Sequence, residues 1–244
     1  MKNLKPKPKI LAYIPARAGS KRIPGKNIKN FLDKPLIAYA IKQALNCPIV
    51  DRVIVDTDSE KIAKIARRHG AEIPFLRPPE LARDDSKTID TIIYTLDRLE
   101  KEQEYTPTHL LILQATSPLR KSQDILNCWK LMQSTNATTV LTVCPTHPQL
   151  FHMNDKQDII SVNSREDMST NTQAWPSAYI LNGCFVYIVD IPTMRKEKKI
   201  ITQKTKAIVC PKWRSIDLDT PEEWVMAEVM YKNRVKIEKR IKNI

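Results

Sequence analysis

At 244 residues and 42% hydrophobic, the chain suits one good-sized core with an appendage; two full domains would be cramped. Forty Lys and Arg against 27 acids give a net charge of +13, which favours partners bearing phosphate or carboxylate but does not separate a nucleotide from a nucleic acid. No apolar run approaches the ~18 residues of a membrane span, and the start lacks the apolar segment of a signal peptide, so a cytoplasmic protein without a membrane partner is expected.

Residues 1–9, MKNLKPKPK, read as a flexible basic tail, and 10–244 as a single domain. Five cysteines are scattered without any C-x-x-C pair, which predicts buried free thiols. Four histidines without H-E-x-x-H spacing speak against a zinc site.

In chain order, ILAYIPA predicts a buried strand and PLIAYAIKQALNC a helix with Pro35 near its first turn. DRVIVDTDS follows as a strand. SEKIAKIARRHG is a helix with Ser59 as N-cap, Ile62 and Ile65 inward and Gly70 as its stop. AEIPFL is a third extended piece, and SKTIDTIIYTLDRLEKEQ carries Ile89, Ile92, Ile93, Leu96 and Leu99 on one stripe. HLLILQAT is a strand, SQDILNCWKLMQS a helix capped by Ser122, and TTVLTVC a strand.

From Pro145 to about Leu181 the periodicity fails, which predicts a lid, a binding loop or an arm that packs on another subunit. NGCFVYIVD and KAIVC return to strand. TPEEWVMAEVMYKNRVKIEKR closes the chain as a helix, with Thr220 as N-cap, Pro221 at its first position and Glu223 completing a capping box. The alternation predicts an α/β fold with a Rossmann-like, doubly wound, mainly parallel sheet.

Ligands of such sheets collect beyond the carboxyl ends of the strands. The first such place is IPARAGSKRIPGKN, which holds two of the chain's four glycines, Gly19 and Gly25, with Arg17, Ser20, Lys21, Arg22 and Lys26. It departs from the phosphate loop G-x-x-x-x-G-K-[ST] by one extra residue and by Asn27 in place of the hydroxyl. Glycines give backbone access to phosphates, and four close cations repel one another unless an anion sits among them.

In DTDS, Asp56 and Asp58 read as a strand end running into the Ser59 cap. LRPPELARDDSKT offers Arg77, Ser86 and Thr88 for an anion or a base, helix capping accounting equally for Ser86. In LQATSPLR, Gln114 ends an apolar strand as a core amide or a substrate contact. In SIDLDTPEEW, Asp217 and Asp219 flank Leu218, so an extended backbone turns both carboxylates one way, an arrangement suited to magnesium shared with phosphates.

Together, IPARAGSKRIPGKN, FLRPPELARDDSKT, LLILQATSPLR, NGCFVYI and SIDLDT, in that order, resemble the acylneuraminate cytidylyltransferase family, from about Ile10 to the end. The resemblance implies a fold of the nucleotide-diphospho-sugar transferase type and a magnesium-dependent transfer of CMP from CTP to a nonulosonic acid such as sialic or legionaminic acid. It implies also a homodimer whose protruding arm, at about 145–181, reaches the partner's site. Carried over by position, Arg17, Ser20, Lys26, Asn27, Arg77, Ser86 and Thr88 bind CTP, and Gln114, Gln173 and Tyr179 bind the acidic nine-carbon sugar. Asp217 and Asp219 carry Mg2+, and Arg17, Lys26 and Asp219 are catalytic.

Two departures stand out. NTQAWPSAYILNG has Asn171 and Thr172 where relatives place two arginines before Gln173, a loss of about 1.5 to 3 kcal/mol per charged hydrogen bond to a carboxylate. Ala115 stands where proline is common. Other readings are a cytidylyltransferase for another sugar acid such as Kdo, a P-loop ATPase or kinase, and a basic nucleic-acid-binding module. The phosphate-loop mismatches oppose the second, and aromatics at 6%, not clustered with the charge, oppose the third.

Overall fold

The apolar run Ile10–Pro15 forms the central strand β1, buried on both faces, as expected for a strand flanked on each side within a helix-covered sheet. The computed structural model describes residues 7–162 and 175–244. After β1 come β2 (Asn30–Phe31), β3 (Lys34–Pro35), α1 (Leu36–Leu45), β4 (Arg52–Asp56), α2 (Glu60–Arg68), α3 (Thr88–Gln103), β5 (His109–Ile112), α4 (Ser122–Gln133) and β6 (Thr139–Thr146). They are followed by β7 (Phe151–Met153), β8 (Ile159–Ser161), β9 (Ala178–Leu181), β10 (Tyr187–Asp190), α5 (Ile191–Glu197), β11 (Thr205–Val209) and α6 (Pro221–Ile241).

Seven strands make one sheet in the order β11-β6-β10-β5-β1-β4, with β9 on the outer part of β6. Strands β11, β6, β5, β1 and β4 run one way; β10 and β9 run against them. The sheet is therefore mixed but mainly parallel, and the carboxyl ends of β1, β4 and β5 lie together. Alternate β1 residues face opposite cores, the period of two that a strand imposes. Ile10, Ala12 and Ile14 pack with α1, α2, α4 and α6 residues, whereas Leu11 and Tyr13 pack with Ile92, Leu96 and Leu99 of α3 and Met194 of α5. Helices on both faces make the sheet doubly wound.

Of the three helix caps read from the sequence, two form and one does not. Ser59 accepts from the Ile62 amide, and Thr220 and Glu223 form a reciprocal capping box at the start of α6. At α4, Ser122 is not the cap: it is the first helical residue, its hydroxyl donates to the Gln43 carbonyl, and Asp124 receives the Lys121 amide instead. With Lys121 at the N-cap position, Asp124 is the third helical residue and its carboxylate satisfies the Lys121 amide. The third extended piece contributes just an isolated bridge from Glu72 to Ile54.

The stretch from Pro145 is more regular than its sequence suggests. β6 continues to Thr146 and pairs with β9, and β7 and β8 form a hairpin whose side chains are exposed. Asn171, Thr172 and Gln173 lie outside the described residues. Phe31, Tyr39, Trp224 and Tyr231 meet edge to face at 5.2–5.7 Å, tying the β2–β3 turn and α1 to α6. That cluster brings the opening loop and the start of α6 to one place. Among the described residues no helix is long and apolar enough to cross a membrane.

Candidate active site

A cavity of about 710 Å³ opens at the carboxyl ends of β1 and β5. It is walled by the opening loop, by the segment from Arg77 to Thr91, by Gln114–Thr116 and by Asp217 and Asp219. Arg17, Ser20, Lys26, Asn27, Arg77, Ser86, Thr88, Gln114, Asp217 and Asp219 all line it, although they span most of the chain. Tyr179 does not: it sits on β9 opposite Pro145, half-exposed, and is not among the lining residues.

The opening loop is held by its own backbone. Gly25 takes the left-handed conformation at φ 62°, which a side chain would strain, and starts a 3-10 turn over Lys26–Ile28. The Ala18 amide donates to Asp58 at 2.8 Å and the Ala16 amide to the Asp56 carbonyl at 2.9 Å. Asn27 is buried, and its amide donates to the Arg17 carbonyl at 3.1 Å. In this geometry Asn27 fixes the curvature that carries Arg17.

Beneath the loop, Asp56 is not a bare strand end. It is buried and pairs with Arg77 at 2.6 Å, while the Tyr13 hydroxyl donates to the same carboxylate. Burial, then Asp56, pushes the Tyr13 phenol well above its usual range. Arg77 is thereby fixed against the floor of the cavity. Ser86 donates to the Glu80 carbonyl at 3.0 Å, and α3 begins two residues later, at Thr88.

On the far wall the Gln114 side chain accepts from the Cys184 amide at 3.3 Å. Arg120, fully buried, donates to the Gln114 carbonyl at 3.1 Å and to the Phe185 carbonyl at 2.5 Å. Burial lowers Arg120 to about 10.

Leu218 is fully buried and its amide donates to the Thr116 carbonyl, so Asp217 and Asp219 both turn toward the cavity, as alternation predicts. Asp219 receives Lys26 at 2.7 Å and Arg22 at 3.1 Å. Partial burial opposes its charge, but Lys26 and Arg22 hold the carboxyl below its usual range. Asp217 is shifted the other way: burial raises it, with Asp219 and Glu223 adding and Thr116 and Lys26 opposing. Among the described residues, its buried Oδ1 has no hydrogen-bond partner. Gly183 makes this possible, because a Cβ there would stand 2.5 Å from Asp217 Oδ2.

Tyr13, Asp84, Thr91 and Thr116 also line the cavity, and sequence reasoning did not single them out. Tyr13 and Thr91 sit in runs read for periodicity alone. Thr116 lies in the turn that follows Gln114, its hydroxyl 3.5 Å from the Gln114 side-chain oxygen, a proximity the sequence does not announce.

A cation-walled cavity of this size, at the carboxyl ends of a doubly wound sheet and with an acidic pair on its rim, defines a nucleotide-binding α/β enzyme. The chain belongs to the cytidylyltransferase family, whose model matches residues 11–238. It is 35% identical over 224 residues to the CMP-N,N'-diacetyllegionaminic acid synthase of Legionella pneumophila, covering 90% of this chain and 95% of that one. It is 30% identical to a pseudaminic acid cytidylyltransferase of Campylobacter jejuni, covering 92% and 97%. An N-acylneuraminate cytidylyltransferase of Escherichia coli is 32% identical over 94% of this chain, which spans about half, 54%, of that relative.

Among solved structures, a CMP:2-keto-3-deoxy-manno-octonic acid synthetase complexed with CTP aligns with a TM-score of 0.66 at 17% identity, covering 93% of this chain and 99% of that one. A 4-diphosphocytidyl-2C-methyl-D-erythritol synthase from Anaerococcus prevotii aligns at 0.62 and 14%, covering 92% and 99%. These two likenesses establish the fold: the doubly wound sheet is that of nucleotide-sugar cytidylyltransferases.

Proposed function

We propose that this protein transfers CMP from CTP to the anomeric hydroxyl of a nonulosonic acid, releasing pyrophosphate. The observation that carries the reading is the convergence, in one cavity, of the loop cations Arg17, Lys21, Arg22 and Lys26 with Arg77, Gln114 and the Asp217–Asp219 pair. The relatives named above for legionaminic, pseudaminic and acylneuraminic acids support the sugar class.

In this reading the opening loop binds the triphosphate through Arg17, Ser20, Lys26 and the backbone around Gly25. Arg77, Ser86 and Thr88 hold the nucleoside side, and Gln114 the sugar. The sugar hydroxyl attacks the alpha phosphate in line: its oxygen bonds to phosphorus, the bond to pyrophosphate breaks, and the hydroxyl proton is released to solvent. Negative charge then grows on the phosphoryl oxygens and the leaving group, and Lys26 and Arg17 are the side chains to stabilise it.

Asp217 and Asp219 fit a divalent cation. Two carboxylates share one face, and Asp217 Oδ1 is a buried acceptor in need of a positive partner. Magnesium bound there would supply charge neutralisation to the phosphates. Tyr179, on β9 and away from the cavity, belongs in this proposal to an arm that meets a second protomer in a cytoplasmic homodimer.

Pyrophosphate release from each nucleoside triphosphate, crossed with a panel of nonulosonic acids with and without magnesium, tests the proposal. Release that needs CTP, a nonulosonic acid and magnesium is expected. Release independent of the sugar would overturn the transfer reading, and equal use of ATP would overturn the cytidine assignment.

A further inference from the structure

The opening loop packs four cations beside one another, and two carboxylates hold them. Arg22 and Lys26 lie on Asp219. Arg17 and Lys21 converge on Asp84: Arg17 Nη1 stands 2.6 Å from Oδ1, and the Lys21 ammonium contacts Oδ2. Asp219 has its place in the acidic pair. Asp84 has no such duty: it is exposed, it lies outside the helices, and the next helix, α3, starts at Thr88 with no side-chain cap. Yet Asp84 lines the same cavity as the cations it neutralises.

We infer that Asp84 is a positioning residue that stands in for a substrate phosphate oxygen. It keeps Arg17 and Lys21 gathered at the cavity rim while no polyphosphate is bound, and it is displaced when one enters. The physical basis is an exchange of anions. Exposed carboxylate pairs are weak and screened, so they are given up readily, and a polyphosphate brings several charges to the same donors. A singly charged anion gains nothing by the exchange, so the carboxylate also filters what the loop retains. The inference rests on the proposed function in taking polyphosphate as the ligand class of this cavity.

The signature is a gain of affinity on removing an acid, which a merely structural role would not produce. Inorganic tripolyphosphate is titrated calorimetrically into the full chain and into Asp84→Asn and Asp84→Glu, at low and at physiological ionic strength. Asp84→Asn is expected to bind about threefold to tenfold tighter, the gain shrinking with salt, and Asp84→Glu to bind as the unaltered chain does. Unchanged or weaker binding by Asp84→Asn, with far-ultraviolet circular dichroism unchanged, would overturn the inference. Titration with CTP and ATP separates this from the functional reading. A tripolyphosphate gain without preference for CTP upholds the exchange and sinks the cytidine assignment. A clear CTP preference without any Asp84→Asn gain does the reverse.

Discussion

A buried carboxylate oxygen left without a partner costs about 1–3 kcal/mol, and Asp217 Oδ1 is such an atom. Burial and the neighbouring Asp219 raise its carboxyl, so the fold is working against its charge. Asp217→Asn is therefore expected to raise the metal-free thermal midpoint, by about 2–4 °C for each kcal/mol relieved, and to lower turnover by orders of magnitude. Calorimetry in chelator and in magnesium reads both parts: magnesium should lift the midpoint of the unaltered chain and not that of the variant. An equal lift in both would move the ion elsewhere. Gly183→Ala should impair the same site from the backbone side, because φ is 65° and the new Cβ would strike the Asp217 carboxylate. A loss of at least about 1 kcal/mol of stability together with most activity is expected; normal turnover would show that the Asp217 position is slack. At this scale the sequence was informative where spacing encodes direction, as with Asp217 and Asp219 around Leu218. It was silent where a partner is remote: nothing near Tyr13 announces Asp56, and nothing near Arg120 announces the Gln114 and Phe185 carbonyls it holds.

Between residues and the whole chain, the tie between α4 and the loop before α6 does most to place the acidic pair. Arg214 reaches both oxygens of Asp124, at 2.7 and 2.9 Å, with both side chains buried, and Asp124 also receives the Lys121 amide. Asp124→Ala would strand a buried guanidinium and remove a cap, at a cost of about 3–5 kcal/mol by chemical denaturation. A change below about 1 kcal/mol would mean that water replaces the carboxylate. At the start of β5, burial lowers the His109 imidazole against the opposing pull of Asp190. The unfolded chain then binds the proton more readily than the folded one, so this contribution to stability is present above the ordinary histidine range. It is lost as pH falls through about 6.5 toward the lowered native value. Denaturant midpoints measured between pH 7.5 and 5.5 should fall less in His109→Gln than in the unaltered chain; parallel curves would assign the acid sensitivity to other groups. Element order was readable because strands and helices alternate with different periods. The reversed direction of β10 was not, since a strand buried on both faces has the same apolar run whichever way it points.

For the molecule as a whole, the least self-sufficient part is the outer end of β6 with β7, β8 and β9. The β7–β8 pair is a two-stranded hairpin, an arrangement marginal in water without a partner surface. Its apolar side chains stand open: Met153 is 70% exposed, Ile159 65%, Ile160 57% and Phe151 50%, and Tyr179, Ile180 and Leu181 of β9 are about half-exposed. Apolar surface gathered in one segment of an otherwise charged chain marks a contact region. Periodicity fails here because, among the described residues, the side chains of β7 and β8 join neither core, so nothing requires alternation. If the segment meets a second copy, light scattering should give about twice the chain mass of 28.1 kDa. Replacing Ile159 and Ile160 together by Asp should yield a monomer whose sheet and cavity are intact, since neither residue packs in either core. Turnover then separates two roles for the segment. Activity retained per monomer would limit it to assembly, and activity lost while CTP binding persists would mean that a partner completes the sugar side of the site. A monomeric unaltered chain at micromolar concentration would refute the dimer.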